Sequence, residues 1–389
     1  MKVAVFFGSR NPEHDVSIIT GQLVISGLKE LGHDVVPVYI SKDGTWCVGE
    51  ELGNLDFFKN ENYKNELKNY EGYSLQMNSI GKIHLKKQSM FGSKEFIADI
   101  AFPAIHGQNG EDGTIQGLFE MLNVPYVGCD VASSANAMDK VNTKLFYQRF
   151  NIPTTKFVFF FTNEWLEKKD SILADISKNL AFPLFVKPSR LGSSIGIAKV
   201  KNAEDLEFAV EVALHYDDKV IVEEGVDALK DLTVCLIGNE NPLISLIQES
   251  AYSKDLFSYE DKYINDGGAQ IGNAEKKLII PANLDEKTTK EIQDTAKEAY
   301  RIFGCSGIAR LDFLYDNTFK KYYANEINTM PGTIYHHLWK ASGIELQELI
   351  SKLLQYGKEK YDKKQKLTYT FESEILKKSN SNKLKLKGN

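Results

Sequence analysis

Four polar side chains in the C-terminal third have the types and the spacing of a magnesium site. Arg310 and Asp312 are two residues apart in ARLDF, and Glu326 and Asn328 are two residues apart in NEIN. Because residues two apart in a β-strand point to the same face, each pair shares one face of its predicted strand. If the strands pair through a turn near Asp316, two carboxylates and an amide oxygen converge beside a guanidinium. Such ligands suit Mg²⁺, which takes one or two carboxylates and keeps its other positions for water and substrate phosphates.

A solvated strand pair is the alternative explanation of the same pattern, since one face of an antiparallel sheet commonly meets water. Glu326 and Asn328, however, lie inside the run YYANEIN, next to aromatic and aliphatic residues. We therefore favour a binding site over a solvated surface.

A second candidate site is the loop KPSRLGSSIG, at residues 187–196. Its glycines let the backbone curl so that N–H groups and hydroxyls face one point, and Lys187 adds a positive charge, which together suit a polyphosphate. The loop lacks the GxxxxGK[ST] pattern, and no GxGxxG occurs in the chain. A Gly/Ser turn between two strands is more often a simple hairpin, so the loop counts as a site only together with the C-terminal cluster.

Two more polar segments follow predicted strands near the N-terminus, EHDVS at 13–17 and HGQNGEDG at 106–113. Open α/β sheets bind ligands at the carboxyl ends of their strands, which is where both segments lie. Glu111 and Asp112 are either functional or first-turn residues that offset a helix dipole, and we favour function. Asp15 is equally well explained as a helix cap, and a carboxylate in this segment suits an ammonium group.

The apolar pattern predicts the elements that position these loops. Residues 2–40 form a strand, helix and strand, as a parallel sheet with a crossover helix requires. The polar segment 51–95 is predicted to be an irregular insertion without chemistry. Further strands are predicted at 96–105, 124–128, 182–187, 195–200, 219–226, 232–237, 243–249, 278–281, 307–315 and 321–328, with helices at 113–122, 203–214, 286–303 and 344–356. The fold class is therefore α/β at the start and α+β downstream.

Composition excludes several classes of protein. The chain has 389 residues, 42% of them hydrophobic and 26% charged, which is typical of two or three globular domains rather than of disorder or fibres. A formal net charge of -6 offers no overall field for nucleic acid or anionic lipid. The 4 cysteines lie far apart, which argues against a disulfide framework or a zinc site, and the N-terminal apolar run is too short for a signal peptide. We expect a cytoplasmic protein without nucleic-acid or membrane partners, ending in a solvated basic tail.

Six motifs occur in an order and spacing that closely resemble the D-alanine–D-alanine ligase family of the ATP-grasp superfamily. They are EHDVS, HGQNGEDG, MDK at 138–140, VKPSRLGSS, ARLDF and NEINTMPG, and the resemblance extends to about Leu354. It implies a three-domain ATP-grasp architecture, with an N-terminal α/β domain at 1–128, a central subdomain at 129–226 and a C-terminal subdomain with the basic tail at 227–389. ATP is expected between the central and C-terminal subdomains.

The resemblance also implies a role for individual residues. For ATP, it implies that Lys140 and Lys187 contact the phosphates and that Ser193 and Ser194 belong to a flap over them. Glu223, with Val226 beside it, is expected to contact adenine. Asp231 is expected to contact the ribose, where the family often has the longer Glu. For the amino acids, it implies that Glu13 receives the ammonium group of the first substrate, that His106 and Gly332 lie on the substrate side, and that Arg310 meets charge developing on the reacting carboxyl. Lys262 and Tyr263 resemble a mobile covering loop, with Tyr263 linking to Ser193 and Glu13. Asp312, Glu326 and Asn328 are expected to hold two Mg²⁺ ions, which Mn²⁺ can replace.

The implied reaction is the ATP-dependent joining of two amino acids, most simply into D-alanyl-D-alanine. ATP converts an inert carboxylate into an acyl phosphate, and an amine then displaces phosphate through a tetrahedral oxyanion, so that cations in a closed cleft stabilise both steps. Family members are commonly dimers, so a homodimer is expected.

One departure from the family leaves the acceptor open. After Gly332 the family continues with a longer stretch that contains a serine for the second amino acid, whereas here TIYHHLW follows directly and is about four residues shorter. Thr333, Tyr335 and His336 are candidates to replace that contact. The alternatives are a related ligase with another amine or hydroxy-acid acceptor and, less in keeping with the intact C-terminal cluster, a nucleotide-binding protein without activity.

Overall fold

The computed structural model describes residues 1–76, 81–89, 92–192, 195–226, 229–251 and 277–378. Four residues predicted to act at the site lie outside these ranges, namely Ser193, Ser194, Lys262 and Tyr263. The basic end of the tail also lies outside them.

The N-terminal sheet has the order β3-β2-β1-β7. Its central strand, β1 (Lys2–Gly8), pairs in parallel with β2 (Asp34–Ile40) and with β7 (Ile100–Pro103), while β3 (Trp46–Val48) pairs antiparallel with β2. Helix α1 (His14–Glu30) connects β1 to β2 and buries the apolar side chains of Val16, Val24 and Leu28. The predicted strand, helix and strand are confirmed.

The prediction of an irregular insertion at 51–95 is wrong. Two short helices, α2 (Leu55–Lys59) and α3 (Tyr63–Glu66), precede a three-stranded antiparallel sheet of β4 (Ser74–Leu75), β5 (Ile83–Ser89) and β6 (Gly92–Ala98). In β5, buried Ile83 and Leu85 alternate with half-buried His84 and Lys86. Two apolar residues are too few to stand out in a segment otherwise rich in Asn, Lys and Glu, although they suffice to pack one face of a small sheet.

Two other segments near this sheet differ from their predicted strands. The strand predicted at 96–105 is divided at Asp99 into β6 and β7, and the Asp99 carboxylate accepts a hydrogen bond of 2.8 Å from the backbone N–H of Lys2. The segment predicted as a strand at 124–128 forms only a parallel bridge between Tyr126 and Ala101. The predicted helix is present as α4 (Thr114–Met121).

The central sheet is antiparallel and has the order β10-β9-β11-β8. Its strands and helices are α5 (Val131–Met138), α6 (Lys140–Arg149), β8 (Phe157–Phe161), α7 (Thr162–Asn179), β9 (Leu184–Pro188), β10 (Ala198–Val200), α8 (Leu206–Leu214) and β11 (Lys219–Glu224). Strands β9 and β10 flank the Ser/Gly loop as predicted, whereas α5, α6, β8 and α7 were not anticipated. Buried Val186 and Val222 pack in one cluster with Val210 of α8.

The C-terminal sheet carries the predicted polar cluster and has the order β15-β14-β12-β16-β17, with β13 pairing to β12. Its elements are β12 (Leu229–Gly238), β13 (Leu243–Ile244), β14 (Gln248–Ala251), β15 (Lys277–Ile279), α9 (Glu286–Ile302), β16 (Gly307–Asp316) and β17 (Lys321–Asn328). Asp285 caps α9 as predicted, since its side chain accepts from the backbone N–H of Thr288. The strand predicted at 243–249 is two short strands.

The chain continues through α10 (His336–Ala341) and α11 (Leu346–Lys364) to a short helix, α12 (Ile375–Lys378). The helix predicted at 344–356 extends to Lys364, and Leu349, Ile350 and Leu353 of its first turns pack in the N-terminal core. In the part of the chain that the structure describes, no helix has the length and apolarity needed to cross a membrane.

The proposed domain boundaries fall in connections between the sheets. The boundary after 128 lies between β7 and β8, and the boundary after 226 lies between β11 and β12. The three-domain division itself stays a prediction.

Gly307 brings the C-terminal sheet against the end of the N-terminal region. It begins β16 with a φ of +72°, and a Cβ added to it would lie 2.8 Å from the Cα and the N of Gly128. Both partners are backbone atoms, which cannot rotate away, so this contact requires glycine.

Gly307→Ala is therefore expected to lower the free energy of unfolding by about 3 kcal/mol, of which roughly 1–2 kcal/mol comes from the left-handed φ and the rest from overlap with Gly128. Gly304→Ala is the matched control, because Gly304 has a φ of +67° and no atom lies within 4 Å of the added Cβ. The control should lose only the conformational part, roughly 1–2 kcal/mol. Urea titration of both variants measures the difference, and equal losses would mean that the Gly128 contact is unimportant.

Candidate functional site

The predicted polar cluster forms on one face of the β16–β17 pair. Arg310 lies opposite Asn328 and Asp312 lies opposite Glu326 in the antiparallel register. A register shift follows Asp312, because Phe313 pairs with Ala324 and Asn325 is the extra residue of a bulge. The alternation in β16 is as predicted, with Ala309, Leu311 and Phe313 buried in the core behind the sheet.

Direct contacts join these polar groups. The Arg310 guanidinium donates to the Asp312 carboxylate from Nε at 3.0 Å and from Nη2 at 2.6 Å, and its Nη2 lies 3.9 Å from Glu326 Oε1. The Asn328 amide donates to Asp312 at 3.3 Å, and the Thr233 hydroxyl of neighbouring β12 donates to it at 2.9 Å. Donors from Arg310, Asn328 and Thr233 thus hold Asp312 in a fixed orientation.

Lys140 connects this cluster to the Ser/Gly loop. Its Nζ lies 3.8 Å from Glu326 Oε2 and donates to the backbone O of Leu191 at 2.7 Å. Its backbone N–H donates to Ser189, and the Ser189 hydroxyl donates to Asp139, which caps α6 and pairs with Lys219. The start of the loop and the start of α6 are therefore fixed to each other.

Glu223 is the charged centre of a second buried group, on the central sheet. It is 2% exposed and lies 3.0 Å from Lys144 Nζ and 3.2 Å from Lys187 Nζ. The Thr155 hydroxyl also donates to it at 3.2 Å. Burial by itself raises the pKa of Glu223, but the two lysines outweigh burial and lower this pKa to about 2. Glu223 is therefore ionised between two cations.

Glu13 lies between two loops of the predicted site. It is 5% exposed, and a Cβ added at Gly192 would come within 2.7 Å of its Oε2, while a Cβ at Gly107 would overlap the same atom. The carboxylate thus contacts the glycine of the HGQNGEDG segment and the glycine of the Ser/Gly loop. Asp15, two residues further along the chain, is exposed instead and pairs with Lys42 at 3.2 Å.

His106 and Glu111 connect the N-terminal region to the segment after β17. His106 donates from Nδ1 to the Met330 carbonyl at 2.8 Å and accepts at Nε2 from the Thr20 hydroxyl at 2.7 Å. The Thr20 oxygen in turn accepts from the backbone N–H of Thr333 at 2.9 Å. Burial lowers the pKa of His106, in keeping with the neutral ring that this pattern needs.

Glu111 and Asp112 have different roles. The Glu111 carboxyl accepts from the backbone N–H of Gly107 at 2.8 Å and from that of Met330 at 3.1 Å. Burial, followed by the negative charge of Glu13, raises the pKa of Glu111 to about 8. Asp112 accepts from the N–H of Thr114 at 3.0 Å and so caps the start of α4. Capping therefore explains Asp112, whereas a function for Glu111 stays a prediction.

Three other residues predicted to act at the site lie on β12, just after β11 and just before α10. Asp231 is on β12, two residues before Thr233 and therefore on the face that Asp312 occupies. Val226 is half-buried just beyond the end of β11. Gly332 begins the turn that leads into α10.

This turn has an unusual backbone. Thr333, Ile334 and Tyr335 have φ values of 48°, 48° and 49°, which form one left-handed turn without glycine. Each such residue costs on the order of 1–3 kcal/mol, and two of them are β-branched. Ile334 is fully buried in the N-terminal core, so packing holds the turn in place.

The donor set fits Mg²⁺ coordination that is completed by a ligand. In the ranges that the structure describes, no group of three or more His, Cys, Asp or Glu side chains could hold a metal ion. Asp312 and Glu326 supply two carboxylates, and Asn328 supplies an amide oxygen on the same face. Mg²⁺ uses one or two protein carboxylates and leaves positions for water and phosphate, so these residues match its needs.

Sequence reasoning missed several contributing residues. Lys144 carried a signal, because it lies four residues after Lys140 and therefore on the same face of α6. Thr20 and Thr233 carried none, since a threonine in an apolar helix or strand is usually part of the core. Their contacts arise only when distant segments come together.

Comparison with known proteins supports the resemblance over nearly the whole chain. Residues 2–129 match the family model described as the N-terminus of D-ala D-ala ligase, and residues 146–355 match the model of its C-terminus. A D-alanine–D-alanine ligase of Thermosipho melanesiensis is 36% identical over 97% of this chain and 98% of its own length. One from Geobacillus thermodenitrificans is 37% identical over 95% and 99%.

Comparison with solved structures indicates the same family. The D-alanine-D-alanine ligase of Coxiella burnetii has a TM-score of 0.77 and 28% identity, and covers 94% of this chain and 96% of its own. The VanG D-Ala:D-Ser ligase of Enterococcus faecalis has a TM-score of 0.74 and 30% identity, with 92% and 99% covered. With the polar cluster, the paired lysines and the N-terminal carboxylates placed as described, the chain belongs to the D-alanine–D-alanine ligase family of ATP-grasp enzymes.

Proposed function

We propose that this chain is an ATP-dependent ligase that forms D-alanyl-D-alanine through an acyl phosphate, with release of ADP and phosphate. The convergence of Arg310, Asp312 and Glu326 beside Lys140 carries the proposal, because two carboxylates beside two cations suit a metal ion, a nucleotide phosphate and a reacting carboxylate. Relatives named D-alanine–D-alanine ligase cover nearly the whole chain, which supports the same reaction.

In the proposed first step, an oxygen of the first amino acid's carboxylate attacks the γ-phosphorus of ATP, and the bond to ADP breaks. Glu13 holds the ammonium group of this amino acid and so orients its carboxylate. Lys140 and Lys187 contact the phosphates, and Arg310 offsets charge on the reacting carboxyl. Two Mg²⁺ ions held by Asp312, Glu326 and Asn328 would supply further positive charge at the transferring phosphoryl group.

In the second step, the amine of the acceptor attacks the acyl carbon and loses a proton, and phosphate leaves through a tetrahedral oxyanion. We assign stabilisation of that oxyanion to the guanidinium of Arg310. Water must be excluded while the acyl phosphate exists, and the assigned covering groups are Ser193, Ser194, Lys262 and Tyr263.

A ligase with another acceptor is the second candidate. The left-handed turn at 333–335 favours it, because this segment begins directly at Gly332 beside the proposed site. One structural relative is named a D-Ala:D-Ser ligase, so acceptors other than D-alanine occur among the relatives. The homodimer and the cytoplasmic location stay predictions.

Glu223 has a further role in this proposal, since we assign it to the adenine amino group with Val226 beside it and Asp231 on the ribose. An adenine contact needs a carboxylate that stays ionised and does not move. Lys144, which is fully buried, meets both needs by pairing with Glu223 and donating to the hydroxyls of Thr154 and Thr155 at 3.0 and 2.7 Å. Lys144 thus positions Glu223.

Phosphate release from ATP is expected with D-alanine, and Glu326→Gln should reduce it about 100-fold or more, because a neutral ligand loses several kcal/mol of metal and phosphoryl stabilisation. Purified protein is assayed with D-alanine, then with panels of D- and L-amino acids and hydroxy acids. Glu291→Gln, which changes an exposed side chain of α9, is the control and should keep the full rate.

Release only with a different pair of substrates would favour the second candidate. ATP binding without release under any condition would indicate a non-catalytic nucleotide-binding protein. A full rate in Glu326→Gln would show that the metal assignment is wrong.

Glu13→Gln should raise the KM for the first amino acid roughly 10- to 100-fold, since a hydrogen bond to a charged group is worth about 1.5–3 kcal/mol, while the KM for ATP changes little. Asp15→Asn is the matched control, because it removes a charge from the same helix at an exposed position. Equal changes in both KM values would leave the ammonium role unsupported.

Lys144→Met should destabilise the protein by about 3–5 kcal/mol, because it removes one cation from a buried ionised carboxylate. Lys156→Met removes the exposed partner of Glu224 at 3.3 Å and should cost less than about 1 kcal/mol. Urea titration gives both values. The KM for ATP should rise in Lys144→Met alone, and an unchanged KM would argue against a positioning role for Lys144.

A further inference from the structure

The ring of Tyr335 lies over the guanidinium of Arg310, with 5.3 Å between Arg310 Cζ and the ring centroid. This distance is within the range of a cation–π contact. Asp312 uses Nε and Nη2. In the part of the chain that the structure describes, Nη1 of Arg310 makes no hydrogen bond.

The left-handed turn puts Tyr335 in this position. A right-handed course over Thr333 and Ile334 would send the next side chain in another direction, away from Arg310. The turn is anchored on both sides, because Ile334 is fully buried and the Thr333 N–H donates to Thr20. Both contacts hold the turn in this conformation.

Tyr335 also contacts Gln248 and His337. Gln248, which is 2% exposed, donates to the Tyr335 hydroxyl at 3.3 Å and accepts from His337 Nε2 at 2.7 Å. The rings of Tyr335 and His337 lie 4.6 Å apart between centroids. Burial is the main cause that lowers the pKa of His337 to about 4, so the imidazole is neutral and Nε2 can donate as this contact requires.

These contacts give the site a rigid aromatic wall. The wall touches the cation assigned to the reacting carboxyl, and the segment that bears it begins directly after Gly332. An amine that attacks the acyl carbon must approach past such a wall. A fixed ring admits a small substituent on the acceptor's α-carbon more readily than a large one, since its clamped hydroxyl prevents it from rotating away.

We propose that Tyr335 is a specificity-determining residue for the acceptor, and that its fixed ring beside Arg310 limits the size of the acceptor's side chain. The inference rests on the proposed function, because it needs a ligase with a separate donor and acceptor. Arg310 keeps its role in both steps, whereas Tyr335 acts only on the second.

The test separates the two half-reactions. Hydroxylamine traps an acyl phosphate as a hydroxamate, so hydroxamate formation from ATP and D-alanine, with hydroxylamine in excess over the amino acid acceptor, reports the first step. Dipeptide formation with D-alanine, D-serine, D-valine and D-leucine as acceptors reports the second. Tyr335→Ala should keep the hydroxamate rate within about twofold, raise the KM for acceptor D-alanine about tenfold, and gain activity with D-leucine.

Tyr335→Phe is the conservative variant and should retain the preference for small acceptors, since it keeps the ring over Arg310. Tyr369→Ala, an exposed tyrosine, is the matched control and should change neither rate. If Tyr335→Ala does not fold, Tyr335→Leu serves instead, because it fills part of the volume without the aromatic face.

The outcomes are distinguishable. A parallel fall in hydroxamate and dipeptide rates would overturn the inference, because Tyr335 would then act through Arg310 in the first step. An unchanged acceptor preference would also overturn it. Absence of both products from the unaltered protein would instead contradict the proposed function.

Discussion

Burial of charge is the constraint on which this site depends. An ionised group inside a protein loses several kcal/mol of solvation unless an opposite charge and hydrogen bonds compensate. Arg310 and Asp312 compensate each other on β16, and Glu326 is brought to them by the register of β17. The strand pair must therefore keep one register, and the bulge after Asp312 sets which side chains of β17 join the polar face.

The same constraint organises the nucleotide side. Glu223 is ionised because Lys144 and Lys187 flank it, and Lys140 in turn lies beside Glu326. The buried groups of the N-terminal region use the opposite solution. His106 is neutral, and the raised pKa of Glu111 favours its protonated form near neutral pH, so the link to Met330 is made by hydrogen bonds with little net charge.

Rigid backbone contacts hold these parts together. Gly307 contacts the backbone of Gly128, and the left-handed turn at 333–335 is fixed by packing of Ile334 and by the bond to Thr20. Both features are unfavourable in isolation, and they persist because the surrounding core determines them. The left-handed turn lies next to the proposed chemistry, where the ring of Tyr335 lies over Arg310.

Local chemistry alone determined much of this protein. Alternation in ARLDF and NEIN predicted the shared polar face, Asp285 predicted the start of α9, and the ordered motifs indicated the family, because strand periodicity, helix capping and motif spacing are properties of neighbouring residues. The tertiary structure decided the rest. The small sheet that begins within 51–95 depends on a few buried residues such as Ile83 and Leu85. Lys144 on α6 pairs with Glu223 on β11, and the left-handed turn at Tyr335 contains no glycine from which it could be predicted. Each of these depends on contacts between residues far apart in the chain, whose energies no local pattern contains.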